Sequence, residues 1–299
     1  MSSYKAYKFR LYPNKEQAHL IDRTIGCVRL VYNSLLDDYK QQLDNGVKPA
    51  LKQVTWLKKV LPFLNDVDSL ALANAKLNLQ TALTNFFNSR NGKRKGRKAG
   101  FPKRHKKNKS KWRYTTNNQH NGIRIENGRI RLPKLKFVKV EAHRPISGIV
   151  KSCTIEKTRS GQYFVSVLCE TSDECKERKI PEYGSLKVVG LDMSFSSFAV
   201  SSDTNDDTKP KYVREYRKHE KRLARLQRRV SRKVKGSHNR YKARERLAKL
   251  SEHVANKRLD FCHKLSRTYA MDYDVIVIEN LDMRSMSRTL NHGKSVHDL

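Results

Sequence analysis

The sequence predicts a mixed α+β and α/β chain. An antiparallel β-barrel domain is interrupted by a helical bundle, and a second domain of helices around a mixed sheet follows. Three observations predict it. Alternating apolar residues open the chain at 4–12 (YKAYKFRLY), and comparable short strands resume only after about residue 123. Between them the apolar residues recur at helical spacing. Beyond a charged, Pro-containing stretch at 172–184, two apolar strands at 188–192 and 275–279 bracket a long helical region.

Each element has its own signal. Pro13 ends the first strand. From Lys15 to about Gln42, Leu20, Ile21, Thr24, Val28, Val31 and Leu35 line one helical face. Val54, Leu57, Leu61 and Leu64 mark a second helix, and Asp68 or Ser69 caps a third that carries Leu72, Ala75, Leu79 and Leu83. Between Arg90 and Arg113 there are 13 Lys or Arg among 24 positions and no acid. Gly92, Gly96, Gly100 and Pro102 break any helix there, while Phe101 and Trp112 interleave rings that either stack on bases or anchor the segment. Asn127-Gly128 and Ser160-Gly161 are turns between the strands of 123–170. Strands are also expected at 197–201 and 211–213. Leu223, Leu226, Val230 and Val234 form a single apolar stripe, and Gly236 divides the following helices. The predicted divisions are 1–13 for the first barrel strand, 14–115 for the helical insertion with its basic loop, 116–180 for the remaining barrel strands and 185–299 for the second domain.

Charge narrows the partners. Sixty-four Lys and Arg against 29 Asp and Glu give +35, an excess that points to a polyanion. No stretch reaches the roughly 18 apolar residues of a spanning helix, and residues 1–5 lack a secretion signal's apolar core, so a cytoplasmic protein is expected. Cys27, Cys153, Cys169, Cys175 and Cys262 form no C-x-x-C pair; they read as reduced thiols, and no zinc is expected. The absence of a G-x-x-x-x-G-K-[ST] loop argues against an ATP-driven machine.

Two residues carry the candidate chemistry. Asp192 and Glu279 each close an apolar strand, and carboxylates about 5 Å apart on adjacent strands repel unless a cation lies between them. Magnesium or manganese, with oxygen ligands, fits that need. Asp203, Asp206 and Asp207 read as turn formers and Asp282 as a helix cap; His292 and His297 are not assigned to metal. The residues assigned to nucleic acid fall in two groups: Arg94, Lys95, Arg97, Lys98, Phe101, Lys103, Arg104 and Trp112 in the basic loop, and Arg222, Arg225, Arg228, Arg229, Arg232 and Lys233 on the basic helix. From Arg214 to Lys249 there are 16 Lys or Arg against three acids, in sequence between the two carboxylate strands.

Taken together, YKFRLYPNKEQ, GRKAGFPKRHKK, VVGLDMSFSSFAVSSD and ANKRLDFCHKLS followed by DVIVIENLDMRSM resemble the TnpB (OrfB-type) proteins of bacterial insertion sequences. These are RNA-guided nucleases related to type V CRISPR effectors. The resemblance implies that the second domain is a RuvC-like (RNase H fold) nuclease and that the helical insertion recognises nucleic acid. It also implies that Asp192 and Glu279 are the first two catalytic acids. Guide RNA, double-stranded target DNA, a divalent metal and a nucleoid location follow from it, with homo-oligomerisation left open. The family's third acid follows a four-cysteine zinc ribbon, and neither has a counterpart here, since Asp298 does not match that position. The expectation is therefore an incomplete domain with an exposed edge at 275–279 and weak or no cleavage. The competing readings are a cleavage-deficient RNA-guided repressor and a truncated remnant.

Overall fold

In the computed structural model, residues 3–107, 112–171, 185–194, 197–203, 212–282 and 285 are described. The chain divides into two compact units, Met1–Cys175 and Lys176–Leu299.

The first unit is built on a seven-stranded antiparallel sheet. Its strands are β1 (Ser3–Tyr12), β2 (Trp112–Asn117), β3 (Arg124–Glu126), β4 (Arg129–Leu132), β5 (Lys136–Glu141), β6 (Ile149–Lys157) and β7 (Tyr163–Thr171), in the order β2-β6-β7-β1-β5-β4-β3. Alternate residues of every long strand point inward: Tyr7, Phe9 and Leu11 of β1 meet Tyr114, Val138, Ile155 and Val165 in one core, so the sheet curls around it. Among the described residues the end strands β2 and β3 are not paired with each other, so the expected barrel is a curled sheet left open. A three-residue β3 offers too little edge to close it.

Three helices separate β1 from β2: α1 (Lys15–Asp44), α2 (Val54–Val60) and α3 (Ser69–Arg90). Asn14 starts α1 with a reciprocal cap, accepting from the Gln17 backbone N–H at 2.8 Å while Gln17 Oε1 accepts from the Asn14 N–H at 3.1 Å. Asp68 caps α3 by accepting from the Leu70 N–H at 2.9 Å. The helix expected through Leu64 stops at Val60, and Pro62 opens a short 3₁₀ turn instead. Val31, Leu35, Leu36, Leu72 and Leu79 form the core of the helices, while Ile21, Ile25 and Ala71 pack into the sheet core.

The second unit holds β8 (Val188–Ser194), β9 (Phe198–Ser201), α4 (Glu215–Ser231), α5 (His238–Asp272) and β10 (Val275–Ile278). Among the described residues the sheet has three strands in the order β10-β8-β9, with β10 parallel to β8 and β9 antiparallel to it. Tyr212 and Val213 are not in a strand, contrary to expectation, and Lys211 lies outside the described residues. Tyr212 instead turns its ring to Phe198 and Phe261, at 5.5 and 5.4 Å between centroids. The apolar β10 is an edge strand of this sheet, and its Ile278 is 71% exposed. Gly236, at φ +88°, makes the break between α4 and α5 that the sequence anticipates. Val234 is not part of the α4 stripe: the helix ends at Ser231, and the side chain is exposed.

Candidate functional site

The two acids occupy matching places. In the parallel pairing of β10 with β8, Ile276 lies opposite Val189 and Ile278 opposite Leu191. The next residue on each chain is Glu279 on one side and Asp192 on the other. Val189 and Leu191 face α5, packing with Leu265 and Tyr269. Strand alternation turns Asp192 to the opposite face. Glu279 directly follows the last residue of β10 at the same carboxyl-terminal rim, where continued alternation would give it that face too. Both are exposed. Adjacent strands stand about 5 Å apart, so two ionised carboxylates here repel in the absence of a cation.

Three other described acids, Asp203, Asp274 and Asp282, are engaged elsewhere. Asp203 lies toward the amino-terminal ends of β8 and β10, where it accepts from the Tyr273 hydroxyl at 2.6 Å. That bond, with burial and the Asp203 charge, pushes the Tyr273 phenol up to about 12. Asp274 accepts from the Lys187 backbone N–H at 3.1 Å. Asp282 accepts from the Ser285 N–H at 3.2 Å, and, Ser285 apart, the helix it is expected to cap falls on residues outside those described. Asp206, Asp207, Asp298, His292 and His297 lie outside the described residues. Among the described residues no group of three or more His, Cys, Asp or Glu is arranged to hold a metal. Cys27, Cys153 and Cys169 are buried free thiols, Cys262 is half-buried, and Cys175 lies outside the described residues.

The basic loop is fastened by its rings. Phe101 packs edge-on to Phe86 at 5.2 Å against the core of the helices. His105 stacks on Tyr32 at 4.0 Å and exchanges hydrogen bonds with the Asn33 amide at 2.8 and 3.1 Å. Burial and the nearby Arg29 hold its imidazole below the ordinary value. Trp112 opens β2, and its indole N–H donates to the Lys107 carbonyl at 2.8 Å. Of the two roles open to Phe101 and Trp112, these contacts support anchoring. Arg104 pairs with Asp37 at 2.9 Å, whereas Arg94, Lys95, Arg97, Lys98 and Lys103 stand exposed. Phe101→Ala is therefore expected to release the segment from the helices and raise trypsin cleavage at 93–104, at unchanged global stability.

On α4, Leu223 is buried while Arg222, Arg225, Arg228 and Arg229, with Arg232 and Lys233 just beyond it, are exposed. The Arg240 guanidinium donates to the carbonyls of Val230 and Lys233 at 3.0 and 2.7 Å, closing the carboxyl-terminal end of α4. Arg229 and Lys233 share a concavity of about 210 Å³ with Asn239, Lys242 and Arg246 of α5. Sequence reasoning missed the last two cations because only the α4–α5 turn brings them beside α4.

Two family models match the chain. A family model described as "Probable transposase" (OrfB_IS605) matches residues 166–290, and one described as "Helix-turn-helix domain" (HTH_OrfB_IS605) matches residues 1–48. A "Putative RNA-guided DNA endonuclease" of Streptomyces pristinaespiralis is 33% identical over 98% of this chain and 71% of its own length. A "Putative RNA-guided DNA endonuclease InsQ" of Escherichia coli K12 is 31% identical over 97% of this chain and 69% of its own. The chain belongs to the TnpB (OrfB-type) family. The transposase match contains β8, α4, α5 and β10 and so both acids. Within the residues matched by the second TnpB model, the chain forms one strand and one long helix rather than two helices about a turn. A Cas12f1 chain from a Cas12f1–sgRNA–target DNA complex aligns over 99% of this chain and 86% of its own at 11% identity, with a TM-score of 0.42. That likeness is too slight to carry an argument.

Proposed function

We propose that this TnpB-family chain binds a guide RNA and a double-stranded DNA target, and that its second unit is a RuvC-like (RNase H fold) domain. On this reading Asp192 and Glu279 hold a magnesium or manganese ion for phosphodiester hydrolysis, and residues 14–115 recognise nucleic acid. The observation that supports it is the parallel register of β8 and β10, whose last paired residues, Leu191 and Ile278, directly precede the two acids at one rim. The names of the two curated relatives support the RNA-guided part. The net charge of +35 supports the nucleic-acid part.

The donor set fits the ion. Magnesium keeps several waters and takes one or two carboxylates together with substrate phosphates. When bound, such ions activate water and stabilise the leaving oxygen. The chain's own residues do the rest. Asp192 and Glu279 supply hard oxygen ligands, and the exposed cations of α4 and the loop hold phosphates by charge. The guide reads the target by base pairing, so the protein needs shape and electrostatics rather than base contacts.

The test is a plasmid carrying a guide-matched target, incubated with the protein–RNA complex and magnesium or manganese. The expected result is guide-dependent retention of the plasmid, with any cutting dependent on metal and lost in Asp192→Ala while RNA binding persists. Equal cutting by wild type and Asp192→Ala contradicts the assignment of the acid, and absence of affinity for structured RNA at low salt contradicts the whole reading. Retention without cutting selects the repressor form of the same function.

A further inference from the structure

The outer face of the curled sheet carries an arrangement that neither basic segment accounts for. Tyr12, the last residue of β1, and Phe137, the second of β5, are 46% and 40% exposed. Tyr12 lies opposite Lys139, and Phe137 opposite Arg131. Phe137 is thus the diagonal neighbour of Tyr12 across β1 and β5, about 7–8 Å away by sheet geometry.

Cations frame the rings. The Arg10 guanidinium carbon lies 5.6 Å from the Tyr12 ring centre, Lys139 Nζ lies 6.0 Å from it, and the Arg124 guanidinium carbon lies 6.0 Å from the Phe137 ring centre. Further along β7, Phe164 has Lys8 Nζ and the Arg10 guanidinium carbon each at 4.9 Å. Acids share this face too: the Tyr12 hydroxyl donates to Glu141 at 2.7 Å, Arg124 pairs with Glu126 at 2.6 Å, and Lys8 pairs with Glu156 at 3.9 Å. The first fixes the tilt of the Tyr12 ring.

We propose that the outer face of β1 and β5 is a stacking platform for unpaired nucleotides, with Tyr12 and Phe137 each receiving one base and Arg10, Arg124 and Lys139 taking the flanking phosphates. Rings set among cations suit open bases, which stack on aromatic and guanidinium planes. They do not suit a duplex, whose base faces are already stacked on one another. This surface lies in the first unit and shares with the function proposed above only that the partner is nucleic acid. It stands whether or not the chain cuts DNA.

The test uses the full chain and fluorescein-labelled oligouridylate and oligothymidylate of about 12 nucleotides, with a duplex of equal length as control. Tyr12→Leu and Phe137→Leu are each expected to weaken single-strand binding by roughly 5- to 150-fold and duplex binding by no more than about twofold. The slope of affinity against salt stays unchanged, because no phosphate contact is removed. Preference between the two oligonucleotides identifies RNA or a displaced DNA strand as the source. In oligonucleotides carrying 4-thiouridine, photocrosslinks are expected on peptides containing Tyr12 or Phe137. Equal losses for strand and duplex, equal displacement by polyglutamate, or crosslinks confined to other peptides overturn the proposal, provided both variants keep the wild-type melting temperature. None of these readings involves cleavage, so failure of cleavage and failure of the platform are distinguished.

Discussion

Gly148→Ala is expected to destabilise the first unit by about 2–5 kcal/mol, a large part of the margin of an ordinary domain. Two penalties combine at this position. Gly148 has φ +90°, where a side chain strains the backbone. An added Cβ would also run into the Glu170 carbonyl group, with its carbon at 2.9 Å and Thr171 Cα at 3.1 Å. Those atoms belong to β7, where Glu170 pairs with Ile149, so the obstacle is sheet backbone and cannot swing aside. Gly46, at φ +70° with open space around it, is the matched control. Its alanine variant carries only the conformational penalty, about 1 kcal/mol. Urea unfolding followed by circular dichroism measures both. Equal shifts for the two variants would show that the close approach to β7 is not what Gly148 serves.

Local signals are the legible ones. The α1 helix follows from apolar spacing after Pro13, and the α4–α5 break follows from Gly236, because each depends on residues a few places apart. The strand β2 is hidden because Trp112 and Arg113 end a run of cations, and only Tyr114 and Thr116 turn inward. Val213 looks like part of a strand by composition. Tyr212 beside it goes instead into a cluster of rings with Phe198 and Phe261, which no local pattern specifies. The run of apolar residues in β10 by itself suits a covered central strand. The edge expected there comes from the family resemblance, and in the described sheet β10 is an exposed edge. The acids themselves are visible at the ends of apolar runs, although β8 continues past Asp192 to Ser194 and β10 stops at Ile278, before Glu279. Their nearness at one rim is not visible, since it depends on a one-residue choice of register between strands more than 80 positions apart. The neighbourhood of Tyr12 and Phe137 likewise depends on the register of β1 with β5. Lys242 and Arg246 meet the α4 cations only once the helices turn back on each other.

The shared ion is the second large effect. Two carboxylates at one rim, one residue past the last paired couple of β8 and β10, gain from an ion that neither holds alone. Each of Asp192→Asn and Glu279→Gln is therefore expected to weaken the tightest manganese site by about 10- to 100-fold. Removing one charge also relieves repulsion, so in EDTA both variants melt no lower than wild type. Because the two residues serve one ion, the double variant is expected to bind no more weakly than either single one.

A manganese titration of the full chain, followed by the electron paramagnetic resonance of the free ion, tests this most directly. The account predicts one site per chain, lost alike in Asp192→Asn, Glu279→Gln and the double variant. Unchanged binding in either single variant, or losses that add in the double one, would contradict a cation held jointly by Asp192 and Glu279.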